Sequence, residues 1–274
     1  MVTDLVLPWG VPTVDRLDIG LLRPRLRGAP VAEVVFVAST GKRFGPYRAR
    51  RVSTWFRDVE VEVDVEDGAV AAEPYDTHTH RNRPADPPQE GLILEGAFAH
   101  AGIRVTRSSG SNTIDTSSAG SNGRWNYQEL HDAMASHWSA YANVPQWKMW
   151  VFHAELADSD TLGGVMFDGD INEPGGVDRQ GTALFTRSPH FHTEGGAYLQ
   201  ANPPAAQAAR RELFFDLVHE TGHAFNLAHS FQTQAVLGEP GSGPWPAPSC
   251  MPVTDAPQAL SWMNYPDEAS PARG

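Results

Sequence analysis

The sequence contains a single cysteine, Cys250, so no disulfide can form within the chain. Any stability in an oxidising compartment must therefore come from packing or from a bound metal. The chain also lacks an uninterrupted apolar stretch of about 18 residues, which a membrane-spanning helix would need. Residues 1–10 lack the basic segment and apolar core of a secretory leader, so we expect no signal peptide. The compartment stays open between the cytoplasm and export by another route.

Positive charge is scarce, with 21 lysines and arginines against 33 aspartates and glutamates and a formal net charge of -12. A chain with this overall charge repels both nucleic acid and an anionic membrane, so we predict neither as a partner. The 274 residues, of which 41% are hydrophobic, suffice for one large domain or two smaller ones.

The first part of the chain has the sequence pattern of a small β-rich module. Over residues 59–66, valines alternate with acidic residues before the turn pair Asp67-Gly68. This alternation predicts a strand with one buried apolar face and one solvated acidic face. Residues 33–38 and 51–56 are further strand candidates.

A domain boundary is best sought in residues 81–88, which are polar and contain three prolines. We therefore predict an accessory or pro-like β module over residues 1–85 and a second domain over residues 86–274. The hydrophobic pattern of the second domain mixes helices with strands, which indicates an α+β fold. Its predicted helices cover residues 89–101, residues 127–141 and a segment that begins near Pro203. Its predicted strands cover residues 103–106, 147–152, 163–167 and 182–186, and residues 108–123 are predicted to form a loop.

The most informative segment is the run from Val218 to Ser230, which contains three histidines and a glutamate. On a helix, His219 and His223 are four positions apart and project from one face, where both imidazoles can bind one metal ion. His229 would lie about 15 Å along the axis from His219 if the helix continued, far beyond a zinc bond of about 2 Å. The helix must therefore end before His229, and Asn226 is a residue type that often ends helices.

This run resembles the metzincin clan of zinc metallopeptidases, whose pattern is H-E-x-x-H-x-x-G-x-x-H followed by a methionine-containing turn. Asn226 stands where the clan has glycine. Residues 261–265, Ser-Trp-Met-Asn-Tyr, resemble the S-x-M-x-Y form of that turn. The resemblance implies a catalytic domain with a twisted mixed sheet, a zinc-binding active-site helix and an irregular C-terminal subdomain, preceded here by the β-rich module.

The resemblance also assigns roles to individual residues. It implies a catalytic zinc ion bound by His219, His223 and His229, with Met263 as an apolar floor beneath the metal. Tyr265 matches a tyrosine that donates to the oxyanion in astacin-like and serralysin-like relatives, although a packed core tyrosine is the alternative.

Three histidine ligands leave a fourth zinc position for water, and Glu220 could act on that water as general base and then as general acid. The predicted activity is therefore that of a zinc endopeptidase, with a protein or peptide as substrate. An extended peptide could add to an edge strand of the sheet. The alternative is a catalytically silent, zinc-stabilised binding or assembly module. The unusual Asn226 and the short stretch after Tyr265 favour that alternative.

Further metal ligands are suggested by two weaker patterns. Asp168, Asp170, Asn172 and Glu173 carry oxygen ligands at the alternating spacing that opens a calcium loop, but the rest of that pattern is absent. Calcium is therefore a second candidate cofactor. The two H-x-H pairs, at residues 78–80 and 190–192, could hold a metal, and polar loops are the alternative for both.

Overall fold

The fold was analysed in a computed structural model of the 274-residue chain. The described residues are 14–22, 31–51, 53–79, 85, 88–142, 144, 146–168, 181–193, 203–225, 227, 229 and 261–263, with only the backbone described for 14, 15, 192, 193 and 203–208. They belong to two compact units, one of residues 1–58 with 102–104 and the other of residues 59–101 with 105–274.

The smaller unit contains an antiparallel three-stranded sheet of β1 (Val14–Leu22), β2 (Val31–Ala38) and β3 (Arg43–Arg50) in that order. The predicted strand at residues 33–38 corresponds to β2. The prediction of a strand at residues 51–56 is wrong, because the strand next to β2 is β3. Gly45 and Pro46 inside β3 have the composition of a turn, and an edge strand tolerates such a proline because one side of it makes no ladder bonds.

The larger unit is built on a mixed six-stranded sheet, so the chain is α+β, as predicted at that level. Its strands are β4 (Arg57–Glu66), β7 (Ile103–Arg107), β8 (Thr113–Ile114), β9 (Lys148–Ala154), β10 (Gly164–Phe167) and β11 (Gly181–Phe185). The order is β10-β11-β9-β4-β7, with β8 also paired to β4. The β11–β9 and β9–β4 pairs are parallel, whereas β10 runs antiparallel to β11 and forms an edge.

The helices of the larger unit are α1 (Leu94–Ala99), α2 (Tyr127–His137), α3 (His190–Thr193) and α4 (Pro203–Ala224), with 3-10 helices at Thr77–Thr79 and Thr116–Ala119. A capping box between Asn126 and Glu129 begins α2, which buries Leu130 and Met134 in an aromatic core with Trp150. No helix in the described part of the chain is both long and apolar enough to cross a membrane.

The predicted helix at residues 89–101 is shorter in the structure and begins at Leu94. Its first residues instead form β6 (Gly91–Leu92), which pairs with β5 (Tyr75–Asp76). The proline-rich segment 81–88 therefore connects two paired strands of the larger unit. The compact units divide at Asp58 and Val59 rather than near residue 85, and β4 belongs to the sheet of the larger unit.

The acidic face of β4 is buried, so the prediction of a solvated face is wrong. Glu62, Asp64 and Glu66 are 1%, 0% and 1% exposed. Each carboxylate accepts hydrogen bonds from neutral donors in distant segments, such as Ser139 N for Glu62, Trp150 Nε1 for Asp64 and Trp125 Nε1 for Glu66. Buried carboxylates are tolerated when donors replace the lost water, and these donors do so for Glu62 and Asp64. Glu66 accepts through Oε2 only, and its Oε1 has no hydrogen-bond partner among the described residues.

Two of these carboxylates also anchor the predicted loop at residues 108–123. Ser108 Oγ donates to Glu62 at 3.0 Å, and the Asn112 backbone N–H donates to Asp64 at 2.7 Å. The segment further contains β8 and a 3-10 helix. The first residues of the predicted loop are therefore fixed to an inner strand of the sheet.

We expect Asp64→Asn to lower the free energy of unfolding by about 2–3 kcal/mol, because the new amide NH₂ would face N–H donors and leave them without an acceptor. Glu60→Gln on the same strand is the matched control. Its carboxylate pairs with Lys148 at a half-exposed position, and such pairs contribute at most about 1 kcal/mol. Urea unfolding followed by circular dichroism measures both changes, and equal losses in the two variants would contradict a structural role for the buried carboxylate.

Candidate metal centre

Helix α4 ends before His229, as a common site for the three predicted metal ligands requires. Its last helical residue is Ala224, and the Phe225 N–H donates to the carbonyls of Thr221 and Gly222. The Leu227 N–H then donates to the Gly222 carbonyl at 3.2 Å, a six-residue closure typical of a Schellman helix end. The prediction that the helix stops before His229 is thus confirmed, and Asn226 itself lies outside the described residues.

The end of the helix brings His219, His223 and His229 together. Their ligand nitrogens all lie within 4.8 Å of one another. The Nε2 atom of His219 is 3.2 Å from Nε2 of His223 and 3.2 Å from Nε2 of His229. Two nitrogens bound to one tetrahedral zinc at about 2.0–2.1 Å would be about 3.3 Å apart. The three imidazoles therefore have the spacing of a common metal site.

The hydrogen bonds of two rings fix which nitrogen can bind a metal. His219 Nδ1 donates to the Trp262 carbonyl at 2.6 Å, and His223 Nδ1 donates to the Leu227 carbonyl at 2.8 Å. A carbonyl can only accept, so the proton is on Nδ1 and the Nε2 lone pair points at the neighbouring ring. Two such lone pairs at 3.2 Å repel each other unless a cation lies between them. The residues present therefore fit a divalent metal such as zinc.

Burial keeps these rings neutral, as metal ligation requires. Burial, with smaller contributions from the neighbouring His223 and His229, lowers the pKa of His219 to about 4, although the hydrogen bond to the Trp262 carbonyl partly offsets the shift. Burial also lowers the pKa of His223 below its ordinary value of 6.5. At neutral pH both imidazoles are therefore uncharged bases.

The methionine of the predicted Met-turn lies beneath the helix at the metal centre. Met263 is buried, and a Cβ atom added to Gly222 would lie 2.4 Å from its sulfur atom. Trp262, next to it, packs edge-on against Phe214 and at a tilt against Phe215, and the Phe215 ring stacks on His219. Trp262 thus contacts His219 directly through its backbone carbonyl and indirectly through the Phe215 ring.

Glu220 of α4 lies against the edge strand β10. Its Cγ atom is so close to Gly164 that a Cβ atom there would lie 2.8 Å from it. Burial raises the pKa of Glu220 from 4.5 to about 7, although a hydrogen bond from the Met166 backbone partly offsets the shift. A carboxyl group with a pKa near neutrality can both take up and release a proton under physiological conditions.

Asp216, one helical turn before Glu220, was not recognised in the sequence. Burial, together with the charges of Glu220 and Glu212, raises its pKa well above 3.8. Its Oδ2 atom lies against Gly163, where an added Cβ atom would be 2.3 Å away. The four-residue spacing to Glu220 was available as a signal. The Trp262 carbonyl was also missed, and no sequence signal marks a backbone acceptor.

The remaining predicted site residues are separate from this centre or outside the described residues. Tyr265 lies outside them, as do Asp170, Asn172, Glu173 and His80, and only the backbone of His192 is described. Asp168, the first residue of the calcium pattern, hydrogen-bonds to His131 Nδ1 at 2.6 Å. His78 and His190 do not belong to the three-histidine group.

Comparison of the chain with protein-family models, with curated proteins and with solved structures found no match.

Proposed function

We propose that the chain is a zinc-dependent endopeptidase of the metzincin type. The observation that carries this proposal is the convergence of the Nε2 atoms of His219, His223 and His229, with two separations of 3.2 Å. A metzincin-like catalytic domain is the finer fold that we propose for the larger unit. The antiparallel edge strand β10, the long helix α4 and the buried Met263 beneath that helix support it.

Zinc held by the three histidines would supply a Lewis acid that polarises a peptide carbonyl and makes water more acidic. Glu220 accepts the proton of the attacking water as the oxygen–carbon bond forms, and it donates that proton to the amide nitrogen as the carbon–nitrogen bond breaks. Its burial against β10 and its raised pKa support this dual role. The oxyanion role of Tyr265 and a calcium ion stay predictions.

The geometry of β10 supports a peptide as the substrate. In the described sheet it is an edge strand, with no described strand paired to one of its sides, and an extended peptide could add there as a further strand. The strand begins at Gly164, beside Glu220, so a peptide on this edge would pass close to the proposed base. Because Gly163 and Gly164 have no Cβ atom, they leave room for the side chains of Asp216 and Glu220.

Metal removal tests the proposal. We expect the zinc-loaded full chain to cleave members of a fluorogenic peptide library, a chelator to abolish that cleavage, and added zinc to restore it. Cleavage that persists after all metal has been removed would exclude the proposed mechanism. Zinc binding that stabilises the fold without cleavage of any library member would favour the alternative, a silent zinc-stabilised binding or assembly module.

A further inference from the structure

The two compact units have net charges of opposite sign. Residues 1–58 and 102–104 contain eleven arginines and lysines against five aspartates and glutamates, a net charge of +6. The other unit contains ten against twenty-eight, a net charge of -18. A unit of about 60 residues is roughly 20 Å across, and salt screens charges beyond about 8–10 Å. A surface in contact with the smaller unit therefore lies within the screening distance of its basic charge.

Among its described side chains, the sheet of the smaller unit has one face without a charged group. Leu17, Ile19 and Leu21 of β1 lie on this face and are 46%, 57% and 66% exposed. The strand registers add residues of β2 and β3 to the same face, namely Ala32, Val34, Phe36, Phe44, Tyr47 and Ala49. Large aliphatic side chains that are exposed side by side in this way mark an interaction surface.

The opposite face of the same sheet is charged. Asp18 pairs with both Arg16 and Arg43, and Glu33 pairs with Arg48. At the edge of the sheet, Lys42 lies over the Phe44 ring, so a cation adjoins the uncharged face. The unit therefore combines an aliphatic face with a surplus of cations, the composition of elements that bind in the interface of an anionic membrane.

We propose that the three-stranded unit binds an anionic lipid surface, with Leu17, Ile19 and Leu21 entering the interface and a cation beside the uncharged face, Lys42, meeting headgroup phosphates. A second copy of the same unit is not expected to cover the uncharged face, because two units that each have a net charge of +6 repel each other. A nucleic acid fits less well, since the most exposed side chains of this face are aliphatic and offer bases no aromatic ring to stack on. The net charge of -12 predicts that the chain does not bind an anionic membrane, but that prediction averages the charges of the two units.

Vesicle co-sedimentation of the full chain tests this proposal without using peptidase activity. We expect binding to vesicles of phosphatidylcholine and phosphatidylserine in a 7:3 ratio at 0.1 M salt, and at least about tenfold weaker binding to pure phosphatidylcholine. A Leu17→Ser, Ile19→Ser, Leu21→Ser variant should bind the mixed vesicles at least about tenfold more weakly. Val144→Ser, at an exposed position of the larger unit, is the matched control and should bind like the parent.

The single variant Ile19→Ser, with circular dichroism to verify folding, covers the case in which the triple variant does not fold; it should weaken binding in the same direction. Lys42→Ser should reduce binding and its dependence on salt. No binding of the parent to the mixed vesicles would overturn the proposal, as would equal binding of the parent and Ile19→Ser. A dimer that dissociates in Ile19→Ser, or binding of an oligonucleotide or an acidic protein in place of vesicles, would also overturn it.

Discussion

Glu220→Gln is expected to lower kcat/KM for peptide hydrolysis by about 10²- to 10⁴-fold, the range typical of losing a general base. The amide keeps the size of the carboxyl group and its place beside Gly164, but it can neither take the proton from water nor return it to the leaving amine. Because Glu220 is not one of the three converging histidines, zinc affinity should change only a few-fold. Kinetics with a cleaved library peptide and zinc competition with a chromophoric chelator measure the two quantities.

Glu212→Gln is the matched control for that experiment. It removes a carboxylate from the same helix, two turns earlier, where Glu212 pairs with Arg211. Its hydrolytic rate should stay near that of the parent. If Glu220→Gln retained parental activity, Glu220 could not be the base, and a comparable loss in Glu212→Gln would indicate a general disturbance of the helix.

His229→Ala is expected to weaken zinc binding by more than about a hundredfold. Losing a residue that merely supports a ligand typically costs 10- to 100-fold in metal affinity, and His229 is proposed to be a ligand itself. Its Nε2 atom lies 3.2 Å from that of His219, and alanine leaves only two of the three nitrogens. Chelator competition at neutral pH gives the dissociation constants, and the shift of the unfolding midpoint by zinc provides an independent measure.

His100→Ala is the control for His229→Ala, because His100 is exposed at the end of α1 and far from the three-histidine group in sequence. Zinc affinity should stay unchanged in this variant. Parental affinity in His229→Ala would exclude the three-histidine site, since the centre would then need other ligands.

The elements with the clearest periodicity could be predicted from the sequence. Leu213, Leu217 and Thr221 recur every four residues and are all buried in α4, and Leu130 and Met134 are buried in α2. The convergence of the three histidines was predictable for a physical reason, because a common site for two histidines one turn apart and a third beyond helical reach requires a helix end between them. The local hydrogen bonds of Phe225 and Leu227 satisfy that demand.

Other features depend on partners that are distant in sequence and could not be predicted. Alternation in β4 predicts two different faces, but it cannot reveal that donors such as Trp150 Nε1 arrive to cover the acidic one. The prolines at residues 81–88 indicate an exposed segment, yet only the pairing of β5 with β6 shows that this segment lies within one unit. The hydrogen bond between the Trp262 carbonyl and His219 could not be predicted, because every residue has a backbone carbonyl.

The buried acidic side chains of β4 have a consequence for how the larger unit forms. Their donors are separated from them by 46 residues for Ser108, 77 for Ser139 and 86 for Trp150. Until those distant segments arrive, burying the carboxylates of this strand costs free energy that no hydrogen bond offsets, so a half-formed sheet is unstable. Assembly of this sheet should therefore be slow and cooperative, because its inner strand becomes stable only when much of the chain has already found its position.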